Sequence, residues 1–214
     1  FFPNEPLCDQ FDRSAFDAPL PNAILEIRDS FINVAKQQVR GMDIAAQWTT
    51  EMPGTWGTLS VDTQWTINFE DTVALFDETE EDLSGEAGHP ETVGNLYLTL
   101  DKDAWSFFYG MNYIGETDNF ASFGRTTTTD SGGNIVDIDL IADATVYHSL
   151  SATYGFDSGL VARVGVSNLL DEQPPRMTSR GTGNEVDVLG QVAFYSQYDW
   201  LGRRFFVNLT MNFD

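Results

Sequence analysis

The sequence has little positive charge and no long run of apolar residues. Its 214 residues include 11 Lys and Arg against 33 Asp and Glu, so the formal net charge is −22. A phosphate-binding surface needs clustered Lys and Arg, and the basic residues here are scattered along the chain, which excludes nucleic acid as a partner. No segment approaches the roughly 18 consecutive apolar residues of a membrane-spanning helix, so helical membrane proteins are excluded as well.

Residues that commonly carry catalysis are also scarce. Cys8 is the single cysteine, so it is either a free or buried thiol or the partner of a cysteine upstream of this sequence. The histidines are His89 and His148, and the chain contains no glycine-rich phosphate loop, His-x-x-x-His pair or Gly-x-Ser-x-Gly turn. We therefore expect no enzyme activity, no catalytic residues and no bound cofactor.

The chain nevertheless contains enough apolar surface to fold. Apolar residues make up 42% of the sequence, and the aromatic residues are 16 Phe, 7 Tyr and 5 Trp. A disordered acidic chain has too little apolar surface to bury, so that class is excluded. The length allows one domain of ordinary size.

Apolar and polar residues alternate along seven segments. Between Thr58 and Asn68, for example, Leu59, Val61, Trp65 and Ile67 alternate with polar residues. A period of two is typical of a β-strand with one apolar and one polar face. The seven predicted strands are residues 42–49, 58–68, 95–100, 105–113, 146–156, 160–166 and 205–213.

The strands and their connections together predict a membrane barrel. Most of the strands are about as long as the 9 to 11 residues that cross the hydrocarbon layer. Tight turns near residues 53–55, 101–103 and 157–159 alternate with links of more than 20 residues, as in outer-membrane barrels. The predicted fold is all-β: an antiparallel transmembrane β-barrel segment of about seven to eight long strands, with short periplasmic turns and long extracellular loops. Its lumen would be lined by polar residues such as Asp43, Gln47, Asp62, Gln64, Asn208 and Asn212.

The last strand and four other segments carry a resemblance to a known family. The apolar positions of the last strand resemble the signal that the outer-membrane assembly machinery reads for membrane insertion; they are Phe205, Val207, Leu209, Met211 and Phe213. The segments 168–175 and 198–205 resemble the closing part of TonB-dependent outer-membrane receptors. Gly41-Met42-Asp43, after Asn33-Val34-Ala35, is similar to a stretch that opens a down-running strand in that family. Phe2-Pro3-Asn4 with Cys8 is similar to an external loop of such receptors. The residues that carry these motifs are Gly41, Asp43, Asn168, Leu169, Asp171, Pro174, Tyr198, Asp199, Gly202 and Arg203.

The resemblance implies a function and a set of partners. Such receptors import a scarce nutrient of the siderophore-iron, cobalamin or oligosaccharide class, with energy from the inner membrane. The implied partners are outer-membrane lipid, the assembly machinery, the TonB complex through an N-terminal region not in this chain, the receptor's own plug domain, and a small-molecule or oligosaccharide ligand. The implied location is the bacterial outer membrane, with the C-terminus in the periplasm. The motif residues themselves are expected to serve barrel closure and the start of loops, because Asp171 and Pro174 end a strand and Gly202 lets the chain turn.

The domain organisation follows from strand counting. Seven strands are too few to close a barrel, since single-chain bacterial barrels have even numbers from 8 upward. We expect residues 1–36 to form an extracellular loop with a possible β extension, and residues 37–214 to form the C-terminal strands of a larger barrel whose plug and N-terminal strands are absent. Residues 23–32 are either that extension or an eighth strand. The N-terminus has neither an initiator Met nor a signal peptide, so a mature or cut chain is expected.

Two other functional classes remain open. The first is a self-contained eight-stranded outer-membrane barrel with a structural or adhesive role, and the second is a secreted β-sandwich that binds carbohydrate.

Residues 70–91 contain nine acidic residues and no basic one. Mutual repulsion predicts a solvated loop. Calcium is the alternative, because it prefers carboxylate oxygens; its candidate ligands are Asp77, Glu78, Glu80, Glu81 and Asp82. Gly132 and Gly133, within residues 115–144, predict a flexible polar loop.

Overall fold

The structure is a computed structural model that describes residues 11–27, 36–74, 80–180, 187–192 and 197–211. Within these ranges the regular elements are antiparallel strands and one short helix. In chain order they are β1 (Phe11–Arg13), β2 (Ile24–Ile27), β3 (Lys36–Glu51), β4 (Thr58–Ala74), β5 (Glu80–Asp82), β6 (Thr92–Lys102), β7 (Trp105–Ile114), β8 (Thr117–Asp118), α1 (Phe120–Phe123), β9 (Thr127–Thr129), β10 (Ile135–Asp137), β11 (Ile141–Ala142), β12 (Thr145–Gly155), β13 (Leu160–Ser167), β14 (Arg176–Arg180), β15 (Asp187–Val192) and β16 (Arg204–Met211). No helix in the described ranges is long and apolar enough to cross a membrane.

Seven of these strands form one continuous sheet, which we call the wall. Its order is β16, β13, β12, β7, β6, β4, β3, every neighbouring pair is antiparallel, and β5 adds to the end of β4. These are the seven predicted strands, which confirms the all-β antiparallel fold. Strands β3 and β4 reach 16 and 17 residues, longer than predicted, because their ladder continues past the alternating segment to Lys36 and Ala74.

The register of the wall keeps the two faces separate. One row of paired residues crosses the whole wall on the apolar face, and it consists of Trp48, Val61, Leu98, Tyr109, Leu150, Val166 and Phe205. The adjacent row on the opposite face contains Asp62, Tyr97, Gly110 and Ser149. A shift of one residue in any pair would mix the two faces. The period of two in the sequence is therefore preserved across all seven strands.

The apolar face of the wall is uncovered within the described residues. Trp48, Val164, Val207 and Phe205 are between 50 and 78% exposed. A β-sandwich would bury such a face against a second sheet about 10 Å away, and the wall strands of the described part instead contact mainly their own neighbours. A continuous apolar face of this extent is typical of a surface that meets lipid.

The wall is open at both edges. Strands β3 and β16 each pair on one side among the described residues, and no pairing joins them to each other there. Strand β2 pairs with β1 in a separate two-stranded sheet, with Phe11 opposite Ile27, so residues 24–27 do not add an eighth strand to the wall. The described residues thus form part of a barrel and not a closed one.

The two ends of the wall differ in their connections. At one end residues 52–57, 103–104 and 156–159 make tight turns, closed by backbone hydrogen bonds such as Met52 N to Gly57 O at 2.7 Å. At the other end the link between β7 and β12 holds β8 to β11 and α1. Gly132 and Gly133 lie in the exposed turn between β9 and β10, where the Asp130 carboxylate accepts hydrogen bonds from Gly132 N and Asn134 N, both at 2.8 Å. The predicted flexibility of this polar loop stays a prediction.

Small apolar cores lie at the end of the wall that carries these links. Ile114 and Tyr147 of the wall pack with Ala142 from the β7–β12 link and with Met177 and Tyr198 from the β13–β16 link, and all five are less than 9% exposed. Phe123, Ile138 and Leu140 form a second cluster within the β7–β12 link. The long connections are thus held by buried apolar contacts at this end of the wall.

Candidate functional site

Two segments meet at the end of the wall opposite the tight turns, and we call them the closing corner. They are residues 168–173, which follow β13, and residues 198–204, which lead into β16. Ser167 and Arg204 are register partners, so the first segment begins beside the point where the second one ends.

Asn168 holds the first segment. Its φ is +51°, a left-handed conformation in which Asn is one of the few tolerated residues with a side chain. Its side-chain amide donates to Glu172 O and accepts from Glu172 N, both at 2.8 Å, and the residue is 2% exposed. Asn168 therefore satisfies both backbone groups of a turn that has left the β-ladder.

Asp171 joins the two segments. It also has a positive φ, +59°, and its carboxylate accepts a hydrogen bond from Arg203 N at 2.8 Å. Gly202 lies against the same carboxylate: its φ is +66°, and a Cβ atom there would lie 2.9 Å from Asp171 Oδ1. Gly202 is thus required both by its backbone conformation and by the close approach of Asp171.

Asp199 ties the second segment to the wall. Its carboxylate forms a bidentate pair with the Arg204 guanidinium, at 2.6 and 3.0 Å, and accepts from Leu201 N at 3.0 Å. Its own N–H donates to the Tyr147 hydroxyl at 3.0 Å, which connects it to β12. The corner therefore fastens β16 to two strands, directly to β13 and through Tyr147 to β12.

This pairing predicts a pH dependence. The hydrogen bonds from Arg204 hold the pKa of Asp199 below its usual value of 3.8. Because the pKa is lower in the folded state, the stabilisation is complete above about pH 3.8 and is lost as the pH falls through the folded value. We expect the thermal stability of the native protein to exceed that of Asp199→Asn at pH 7, and the gap to narrow at pH 3. A gap that stays constant between the two pH values would contradict this role of Asp199.

A cavity of about 610 Å³ lies on the polar face of the wall, next to the closing corner. We call it the wall cavity. Strands β4, β6, β7, β12 and β13 form its floor, and the closing corner covers one side. Its lining residues are Gln64, Thr66, Val93, Gly94, Asn95, Asn112, Tyr113, Ile114, Tyr147, Ser149, Ser167, Asn168, Gln197, Tyr198, Asp199 and Arg204.

The lining of the wall cavity consists largely of amides and hydroxyls. Among its described residues the charged ones are Asp199 and Arg204, and these form an ion pair with each other. Two buried amide atoms, Asn95 Oδ1 and Gln197 Nε2, have no hydrogen-bond partner within the described ranges. The cavity therefore offers neutral polar groups to an occupant, including one acceptor and one donor that the described part of the chain leaves unpaired.

A second feature of the polar face lies nearer the tight turns. The Arg163 guanidinium lies 5.9 Å from the Phe108 ring centre and 5.7 Å from the Phe206 ring centre. It also donates to Ser151 Oγ from Nε and Nη2, at 3.2 and 3.0 Å. Cation–π contacts and hydrogen bonds thus hold this cation against the wall.

The chain matches a known protein family over most of its length. A family model described as TonB dependent receptor-like, beta-barrel, matches residues 8–169, well over half of the chain. The chain belongs to the TonB-dependent receptors. No curated protein and no solved structure matches it. The matched part contains six of the seven wall strands and ends at Leu169, so β16 and most of the closing corner lie beyond it.

Membership of this family has consequences for location and activity. TonB-dependent receptors are β-barrels of the bacterial outer membrane that act as nutrient receptors and transporters and not as enzymes. The wall, with one exposed apolar face and one polar face, is consistent with this family of barrels.

The receptor structure brings together most of the motif residues predicted from the sequence. Asn168, Asp171, Tyr198, Asp199, Gly202 and Arg203 all lie in the closing corner. Leu169 N donates to His148 O at 2.7 Å, and Pro174 is buried.

Two motif residues lie at the opposite edge of the receptor wall, on β3. Gly41 follows a bulge, and a Cβ atom there would lie 2.8 Å from Ile67 O, so close approach of β4 explains the glycine. Asp43 accepts from Thr66 Oγ1 at 2.7 Å. These residues order the β3–β4 pair and are not part of the closing corner.

The residues of the predicted insertion signal that the structure describes lie on the apolar face of β16. Phe205, Val207, Leu209 and Met211 pair with Val166, Val164, Ala162 and Leu160 of the same face, and each is at least 46% exposed. Phe213 and Asn212 lie outside the described residues, as do Asn33, Ala35, Cys8 and the segment 2–4.

The acidic stretch is more ordered than predicted where the structure describes it. Strand β4 continues through Glu70 and Asp71, which pair with Arg40 at 3.2 Å and His89 at 3.0 Å. Burial, with Glu81 and Asp118 nearby, raises the pKa of Glu86 above its usual value.

The calcium ligands predicted in this stretch stay a prediction. Asp77 and Glu78 lie outside the described residues, while Glu80, Glu81 and Asp82 form the exposed strand β5. Within the described ranges no group of three or more Asp, Glu, His or Cys residues is placed to hold a metal ion.

Sequence reasoning missed most of the wall cavity. It placed Gln64 on the lumen face, but it did not single out Asn95, Asn112, Ser149 or Gln197. The signal was present for three of these, because Asn95, Asn112 and Ser149 occupy polar positions of the alternating strands. No local pattern marks Gln197, which belongs to a connection.

Proposed function

We propose that this chain supplies the C-terminal strands of a TonB-dependent receptor barrel that imports a scarce nutrient. The observation that carries the proposal is the open wall with one exposed apolar face, one polar face and a cavity beside the closing corner. The nutrient belongs to the siderophore-iron, cobalamin or oligosaccharide class. Residues 37–214 form wall and connections, and residues 1–36 form an extracellular segment with a short β extension.

The open edges of the wall indicate that further strands pair with it. An exposed strand edge carries unpaired N–H and C=O groups, which have no acceptable place in a lipid bilayer. We therefore assign β3 and β16 to pairing with further strands of a complete barrel. A plug domain lies in the lumen, an N-terminal region receives energy from the TonB complex, and the assembly machinery inserts the barrel by way of β16.

The assignment of the two faces is tested by cysteine labelling. In a Cys8→Ser background, Val61→Cys is expected to react with a lipid-soluble maleimide, and Asp62→Cys with a water-soluble one. The two positions are adjacent in β4 and lie on opposite faces. Equal reaction of both cysteines with both reagents would contradict a wall that separates lipid from lumen.

The direction of the wall in the membrane is tested by epitope insertion. The tight turns are assigned to the periplasm and the long connections to the cell exterior, which places the C-terminus in the periplasm. An epitope between Gly132 and Gly133 is expected to bind antibody on intact cells. The same epitope after Ser158, in the β12–β13 turn, should bind after the outer membrane is permeabilised. The reverse pattern would show that the barrel has the opposite orientation.

Transport is tested in the bacterium that carries the gene. Deleting the gene is expected to abolish TonB-dependent uptake of one nutrient class, with uptake measured separately for ferric siderophore, cobalamin and oligosaccharide. Restoring the gene should restore uptake when TonB is present and not when it is absent. If the restored protein reaches the outer membrane and changes no uptake, a structural or adhesive barrel becomes the better assignment.

A further inference from the structure

We propose that the wall cavity is a binding site for a neutral polyhydroxylated solute, a saccharide. This inference rests on the proposed function, because it selects one substrate class for the same receptor. It follows from three properties of the cavity lining: charge, unpaired polar atoms and size.

The charge of the cavity excludes strongly ionic occupants. The chain as a whole has a formal net charge of −22, yet the described lining residues include one carboxylate and one guanidinium, Asp199 and Arg204. The pair they form is bidentate, at 2.6 and 3.0 Å, so each group is already neutralised by the other. An anionic ferric complex or a multivalent cation would lose hydration here without meeting an opposite charge that is free to pair with it.

A hydroxyl group of an occupant can pair with either of the two unpaired amide atoms of the cavity lining. Asn95 Oδ1 is an acceptor and Gln197 Nε2 is a donor, and both are buried without a hydrogen-bond partner among the described residues. A buried polar group that lacks a partner destabilises the protein, which gives a complementary occupant an advantage in binding. A hydroxyl group donates one hydrogen bond and accepts others, so it can satisfy either atom.

The other lining residues also offer neutral polar groups, and the volume of the cavity suits a small molecule. Gln64 and Asn112 add amides on the floor, and Ser149 adds a hydroxyl, each on the polar face of its strand. Tyr147 and Tyr198 add aromatic surface beside the closing corner, where the C–H face of a sugar ring can pack. The volume of about 610 Å³ falls within the range of about 300–1,000 Å³ for small-molecule sites.

The experiment measures binding to the receptor in outer membranes that contain it. Five radiolabelled probes are used: the neutral trisaccharides maltotriose, cellotriose and xylotriose, the anionic complex ferric citrate, and cyanocobalamin. We expect at least one trisaccharide to bind. Asn95→Leu is expected to weaken that binding by about tenfold, the equivalent of one lost hydrogen bond of ordinary strength. Gln197→Leu, which changes another residue of the cavity lining, provides a second variant in case Asn95→Leu does not accumulate.

The matched control is Gln47→Leu. Gln47 is another amide on the polar face, but it donates to Asp62 and lies outside the wall cavity. This variant should bind the trisaccharide as the unmodified receptor does.

The outcomes separate this inference from the proposed function. If no trisaccharide binds, the inference is wrong, and TonB-dependent uptake of ferric citrate or cyanocobalamin would still support the receptor. If a trisaccharide binds but neither Asn95→Leu nor Gln197→Leu weakens it, the site lies elsewhere and the inference is wrong as well. A protein that is absent from the outer membrane would instead overturn the proposed function.

Discussion

Replacing Leu96 with Arg is expected to cost about 2–4 kcal/mol in the free energy of unfolding, the range for a cation on the lipid face near the bilayer midplane. Leu96 lies near the middle of β6, on the apolar face, with Thr63 and Met111 as its register neighbours. A guanidinium at this position would have to leave water for hydrocarbon or distort the lipid around it. The measurement is urea unfolding of the receptor in lipid vesicles, followed by tryptophan fluorescence.

Thr99→Arg is the control for this prediction. Thr99 lies on the same strand but on the polar face, where it pairs with Ser60 and Phe108. An arginine there would face the lumen, so we expect a loss well below that of Leu96→Arg. Similar losses for the two variants would mean that the two faces of the wall meet the same medium.

Removing the carboxylate of the closing corner is expected to have the second largest effect. Asp199→Ala leaves the Arg204 guanidinium without this partner and removes the acceptor for Leu201 N. Hydrogen bonds to charged groups contribute about 1.5–3 kcal/mol. The 41% exposure of the Arg204 side chain places the expected loss toward the lower end of that range. Because β16 is an edge strand of the described wall, loss of the corner should also slow its docking.

The measurement for Asp199→Ala is the fraction of receptor that migrates as the folded form on an unheated gel, together with its unfolding midpoint in urea. Asp157→Ala is the matched control, since Asp157 is an exposed carboxylate in the tight turn between β12 and β13. We expect the control to fold as the unmodified receptor does. If Asp157→Ala and Asp199→Ala behave alike, the closing corner does not fasten β16.

The sequence predicted the wall well because strand alternation is a local property. In β4, for example, the positions of Val61 and Asp62 alone indicate opposite faces, and the register confirms them. The ends of β3 and β4 were less predictable. Their ladder continues into polar and acidic residues such as Glu70, where pairing with the neighbouring strand and the Arg40 side chain outweighs the repulsion that predicted a loop.

The long connections were predicted least well. Residues 115–144 are rich in polar residues and glycine, a composition typical of flexible loops, yet they contain β8 to β11 and α1. Their order depends on distant partners: Asn119 donates to Thr178 O at 2.9 Å, and Met177 packs with Ile114 and Ala142. No short window of the sequence contains both sides of such a contact.

By itself, the sequence determined that this chain is a two-faced antiparallel wall of seven strands with tight turns at one end and long connections at the other. It could do so because a period of two, strand length and turn residues are each visible within a few positions. The tertiary structure alone decided that Asn95 and Gln197 line one cavity and that Asp199 joins Tyr147 and Arg204. Asn95 and Gln197 are far apart in the chain, as are Tyr147 and Asp199, and only the pairing of β6, β7, β12, β13 and β16 in one register brings them together.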